Sequence, residues 1–286
     1  MRRMLRWLGY GAAAIAMLAL LAACWVWFVS WRAINSTEAP VAERLVRPTA
    51  AQLADAPRQT RILGCVSCHG EGLRGRRMFH EKGVATVWAS NLTEVAARAT
   101  DQQLAQAIRQ GVGHDGRPLW VMPSALFSRL GDGEVAALIA WIRRLPRSGG
   151  PTPETYVGPI GRLGIALGRF KPGPATIERF RTTYPIDAGA EHAAGRRLAA
   201  TACAECHGPR LEGGTPGPGT TAPALDLAAA YDLNQFRTLL RTGIPPGGRD
   251  LGLMKTVAVQ DFAHLTDEEI AQLHSYLSAR FERLAQ

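Results

Sequence analysis

The sequence predicts an all-α chain, with one membrane-spanning helix at the N-terminus followed by two tandem helical modules. Three observations carry that expectation. An apolar run fills about residues 8–31, a five-residue pattern recurs 138 positions later, and each copy is followed by a capped helix and an amphipathic final helix.

Arg2, Arg3 and Arg6 precede the apolar run, which extends from about Leu8 to Trp31. A helix crosses a bilayer in ~20 residues, so the run is long enough. Trp25, Trp27 and Trp31 crowd its far end, as at a membrane–water interface. The arginines before the span place the N-terminus in the cytoplasm, so the chain from about residue 40 lies on the periplasmic side of the inner membrane. A cleaved signal peptide is the alternative, with a shorter apolar core of ~7–15 residues. Leu21-Ala22-Ala23-Cys24 also has the form of a lipoprotein cleavage site, which would lipidate Cys24. However, Trp25-Val26-Trp27-Phe28-Val29 continues the apolar run, which favours an uncleaved helix with Cys24 as an apolar thiol inside it.

The recurring residues are Cys65-Val66-Ser67-Cys68-His69 and Cys203-Ala204-Glu205-Cys206-His207. Each is a C-x-x-C-H, the pattern of covalent c-type haem attachment. Two thiols add to the vinyl groups of one haem, and the adjoining histidine becomes the proximal iron ligand. A thioredoxin-like C-x-x-C expects a preceding strand, whereas Arg58–Leu63 and Gly195–Ala200 read as helix. A zinc site usually draws both cysteine pairs from one small module. Structural disulfides leave both histidines unexplained. The chain is therefore expected to hold two covalently bound haem c groups, and export to an oxidising compartment agrees with that chemistry.

The spacing divides the chain into a membrane anchor (1–40), a first module (41–146), a Pro/Gly-rich linker (147–187) and a second module (188–286). In the first module Thr100 and Gln103 form a capping box, Leu104, Ala107 and Ile108 an apolar face, and Gly111 a stop. Asp232, Gln235, Phe236, Leu239, Leu240 and Gly243 take those roles in the second. The final helices carry Val135, Leu138, Ile139, Ile142 and Leu145 on one face, and Ile270, Leu273, Leu277 and Leu284 behind a Thr266/Glu269 box on the other copy. Trp141 and Tyr276 match and are expected beside the haem-bearing helix. Linker prolines from Pro146 to Pro185 argue against regular structure, apart from a short helix around Ile160–Phe170.

The sixth iron ligand separates an electron carrier from an enzyme, because a His/Met haem has no open site and the thioether raises its potential. Met254 is the only methionine after His207. Met122 lies in the same place in the first module, just before the final helix, and Met78 is too close to Cys68 to reach the opposite haem face. Met122 and Met254 are thus the expected axial ligands. His114 and His264 are the competing ligands; His80, His192 and His274 are expected to be solvent-facing or locally hydrogen-bonded.

The net charge of +9 is spread as +3 over residues 1–40, +5 over 41–146 and +1 over 147–286. Haem propionates would offset much of it. No basic stripe marks a nucleic-acid binder, and a modest basic face on the first module would suit an acidic redox partner.

Both modules resemble class I c-type cytochromes. The first is also similar to the membrane-bound multihaem cytochrome subunits of periplasmic alcohol, aldehyde and sugar-acid dehydrogenases. That likeness rests on Ala89-Ser90-Asn91-Leu92-Thr93, Gly113-His114-Asp115-Gly116-Arg117-Pro118-Leu119 and Met122-Pro123, and it implies that Met122 ligates iron. Those subunits usually carry three haem motifs and a C-terminal anchor; this chain has two motifs and an N-terminal apolar run. The expected function is one-electron transfer between redox partner proteins, without catalysis by the chain itself. A dihaem peroxidase-type enzyme is the alternative, and it would need Met122 or Met254 to be a non-ligand.

Overall fold

The N-terminal apolar run forms one long helix, α1 (Arg2–Asn35). The computed structural model describes residues 2–217 and 220–285. An 18-residue window of α1 has a mean hydropathy of 2.3, and none of it is buried by the rest of the protein. Burial begins only at its C-terminal end, where Val26, Val29, Ser30, Ala33 and Ile34 form one helical stripe. α1 is therefore a candidate membrane anchor by length, composition and exposure.

An extended segment follows. It is tied down by glutamines at helical spacing on α5 (Asp101–Gln110). Gln110 Nε2 donates to the carbonyl of Val41 at 2.7 Å, and Gln102 Nε2 to that of Glu43 at 2.7 Å. Their Oε1 atoms accept the amides of Val41 and Glu43, both at 2.9 Å. Side-chain amides on α5 thus satisfy backbone groups that have no strand partner.

The first half continues with α2 (Ala50–Ile62) and α3 (Cys65–His69). A hairpin follows, β1 (Arg76–Glu81) and β2 (Ala85–Ala89), then α4 (Leu92–Arg98) and α5. After α6 (Ser124–Phe127) comes α7 (Asp132–Arg144). Val135, Leu138, Ile139 and Ile142 of α7 are buried as the pattern predicts. Each contributes roughly 1.5–3 kcal/mol, more than a cap supplies, so packing decides where α7 sits.

The linker is more ordered than its proline content predicts. β3 (Tyr156–Val157) pairs antiparallel with β2, with Ala85 opposite Val157. α8 (Pro159–Ala166) and α9 (Pro174–Thr182) both start with proline in the first turn, where its missing N–H costs nothing. The predicted helix around Ile160–Phe170 is α8, ending earlier; α9 was not predicted. α8 packs on the end of α1, and α9 packs on α6.

The second half runs α10 (Ala193–Leu198), a π-helical turn (Ala199–Cys203) and α11 (Ala204–His207). A small hairpin follows, β4 (Gly214–Gly217) and β5 (Thr220–Ala222). Then come α12 (Leu233–Thr242), α13 (Leu253–Gln260) and α14 (Asp267–Leu284). The fold is mostly helical, and the two hairpins correct the strict all-α expectation. Thr100, Asp232 and Thr266 each form the predicted capping box, and Gly111 and Gly243 stop their helices at φ 66° and 71°. Ile270, Leu273 and Leu277 are buried, whereas Leu284 is exposed, because α14 runs past its packing partners.

Buried apolar residues of both halves join in one continuous cluster. Arg129 stitches the halves together. Its guanidinium donates to the carbonyls of Phe180 at 3.1 Å and Ala200 at 2.8 Å, and its face stacks on the rings of Phe180 and Tyr184. Burial lowers its pKa.

Candidate haem site

Cys203 is delivered by the π-helical turn, and Cys206 and His207 by α11. The π turn adds a residue to the helical circuit and so resets which side chains face inward. Cys203 and His207 are both buried. The Nδ1 of His207 lies 2.7 Å from the carbonyl oxygen of Pro223. A carbonyl only accepts, so Nδ1 carries the proton and the Nε2 lone pair is left free. Burial lowers the His207 pKa, which keeps the ring neutral at pH 7. A neutral imidazole oriented by a backbone carbonyl is what an iron ligand requires.

Cys203, Cys206 and His207 line a cavity of about 280 Å3, and Met254 lines it too, from α13. The other walls are largely apolar, including Leu225, Phe236, Leu240, Phe262, Leu273 and Leu277. The residues fit a haem: two thiols, a free imidazole nitrogen, a thioether and a hydrocarbon envelope share one space. His264 lies outside this lining. His192 and His274 are held locally, by Ser275 at 3.2 Å and the Tyr231 carbonyl at 2.7 Å.

The first motif has the same local construction. The Nδ1 of His69 lies 2.7 Å from the carbonyl oxygen of Ser90, again leaving Nε2 free. Cys65 and Met122 pack against the common core. Burial pushes the Cys65 and Cys203 thiols up to about 12 and Cys206 up to about 11. All are therefore protonated at neutral pH, unlike reactive or zinc-binding thiolates. Among the described residues no three His, Cys, Asp or Glu side chains group to hold a bare metal ion. His80 is satisfied by Thr86 at 2.8 Å.

The repeat extends beyond what the motif predicted. His69-Gly70-Glu71-Gly72-Leu73-Arg74-Gly75 and His207-Gly208-Pro209-Arg210-Leu211-Glu212-Gly213 share H-G-x-x-L-x-G. Gly75 and Gly213 each donate their backbone N–H to the histidine carbonyl at 2.7 Å. Leu73 and Leu211 have φ 56° and 66°, the only positive values at non-glycine residues described. Both are almost wholly buried. Such strain costs of order 1–3 kcal/mol and persists only where surroundings impose it. Here a buried leucine anchors the turn that carries the chain from histidine into the hairpin, at whose end the histidine's carbonyl partner sits.

Residues 192–280 match the cytochrome c family model. The matched segment contains the second motif, its cavity and Met254, and so identifies a cytochrome c-type domain with one covalently bound haem. Proteins of this family are in general electron carriers, not catalysts, and the matched domain is accordingly cytochrome c-like. No curated protein matches the chain.

Proposed function

We propose that the chain is a membrane-anchored dihaem cytochrome c with two tandem class I domains (41–146 and 188–286) joined by a linker (147–187). It carries single electrons between periplasmic or membrane redox partners. The observation that carries this reading is the duplicated histidine device: the same strained turn, hairpin and 2.7 Å Nδ1–carbonyl contact at His69 and His207. Cys65, Cys68, Cys203 and Cys206 are assigned to covalent attachment, His69 and His207 to proximal ligation, and Met122 and Met254 to the distal side. Bound haem supplies one-electron ferric–ferrous cycling. The chain's own residues orient the ligands and exclude water; none needs to move a proton.

A second observation supports a group at the first site. Trp120 Nε1, two residues before Met122, is buried without a hydrogen-bond partner. A buried donor of this kind calls for an acceptor, and a haem propionate would supply one. The first motif also adjoins the second half. Ser67 donates to Asp261 Oδ1, at the end of α13, at 2.7 Å. That adjacency suits an electron entering at one centre and leaving at the other. The resemblance of the first module favours service as the cytochrome subunit of a dehydrogenase or respiratory complex, and α1 with its leading arginines favours a periplasmic location.

Intact-mass measurement of the purified full chain tests the proposal. Two covalent haems per chain are expected, falling to one in Cys65→Ala/Cys68→Ala. One haem in the wild-type chain overturns the dihaem reading.

A further inference from the structure

The linker helix α8 leaves one face unpartnered. Ile160, Leu163 and Leu167, at helical spacing on and just past α8, are 60%, 44% and 58% exposed, and Phe170 beyond them is 39% exposed. The opposite face is fixed: a Cβ on Gly161 would lie 2.3 Å from the Val84 carbonyl, so α8 lies against the β2–β3 edge and cannot turn its apolar residues inward.

Its place along α1 says what covers that face. Arg162 stacks on the Trp27 ring at 4.0 Å and donates to Ser30 Oγ at 3.1 Å. Ser30 is the one fully buried residue of α1. Residues 2–25 are exposed, and Trp25, Trp27 and Trp31 mark the depth at which aromatic side chains meet lipid headgroups. α8 is therefore pinned at headgroup depth. Charge agrees: residues 158–177 contain Arg162, Arg169 and Lys171 and no acidic residue. An apolar face with basic residues at its edge is the pattern of an in-plane interfacial helix.

We infer that α8 and the residues to Phe170 lie in the membrane surface, burying Ile160, Leu163 and Leu167 at the headgroup–acyl boundary of an anionic bilayer. This rests on the reading of α1 as a membrane span. Two attachments, one across the bilayer and one along it, fix the orientation of the soluble body above the membrane; a single helix would leave it free to swivel.

The test uses the full chain in liposomes of phosphatidylglycerol and phosphatidylcholine containing a phospholipid with a diazirine in its acyl chain. After irradiation, adducts are mapped by peptide mass. Adducts are expected on α1 and on residues 159–170, with yields in 159–170 at least ~10-fold above those on α14. In Leu163→Glu/Leu167→Glu the 159–170 adducts disappear and those on α1 remain. Adducts on α1 with none on 159–170 overturn the inference alone. A chain unlabelled on α1 overturns the span and the inference with it.

Discussion

At the scale of single residues, the turn after each histidine is tightly constrained. Gly208 has φ 82°, and a Cβ there would lie 2.6 Å from the Gly213 carbonyl. Gly208→Ala meets both a forbidden backbone region and a backbone atom that cannot move without breaking the Gly213–His207 bond. A loss of about 2 kcal/mol in unfolding free energy is expected, by chemical denaturation; an unchanged midpoint would contradict the role given to this turn. The C-x-x-C-H residues were legible in the sequence because their chemistry depends on adjacency. The carbonyl partners, Ser90 and Pro223, were not, because they lie 21 and 16 residues downstream and backbone oxygens leave no residue-type signal. The H-G-x-x-L-x-G turn could have been read from the aligned copies, since the glycines and leucine recur at matching offsets.

At the scale of elements, helix ends were legible and strands were not. Capping boxes are local, so Thr100, Asp232 and Thr266 announce their helices within four residues. β1 carries no alternation, with almost every residue exposed, and it exists because β2 pairs with it. The linker helices follow a different lesson: seven prolines argue against regular structure, yet Pro159 and Pro174 each follow a glycine and open a helix. The sharpest element contact is the crossing of α10 and α14. A Cβ on Gly195 would lie 2.1 Å from the Gln272 carbonyl and 2.7 Å from Tyr276 Cβ. Tyr276 is fully buried there and donates to the Ile186 carbonyl at 3.0 Å. Gly195→Ala is expected to cost about 1–3 kcal/mol by forcing the helices apart. Thermal unfolding followed by circular dichroism measures it, and an unchanged midpoint would mean that the crossing is looser than described.

At the scale of the whole molecule, polar contacts as well as the shared core bind the halves. Arg58 of α2 donates to Glu269 of α14 at 2.6 and 2.9 Å and to Asp55 at 2.7 and 3.0 Å. The Arg58 bond holds the Asp55 pKa below its usual 3.8. For Glu269, burial works upward, but bonds from Arg58 and Thr266 prevail and hold it below 4.5. Both carboxylates are therefore depressed in the folded state. Their stabilisation is complete above the unfolded values near pH 4–5 and is lost as pH falls through the lower folded values. Arg58→Gln is expected to lower stability by about 1–2 kcal/mol at pH 7 and to flatten the acid limb below pH 4.5. Denaturation midpoints across pH 3–7 check this, and an acid limb unchanged in the variant would show that the contact does not couple the halves.

The proposed function makes the molecule a two-step electron relay, with two similarly built centres that each take a methionine on the distal side. Potentiometric titration of the wild-type chain, Met122→Ala and Met254→Ala tests it most directly. Axial-ligand identity spans ~0.8 V among haem proteins, so each substitution is expected to lower one of two potentials by on the order of 0.1 V and leave the other in place. Potentials that neither substitution moves would contradict both methionine assignments.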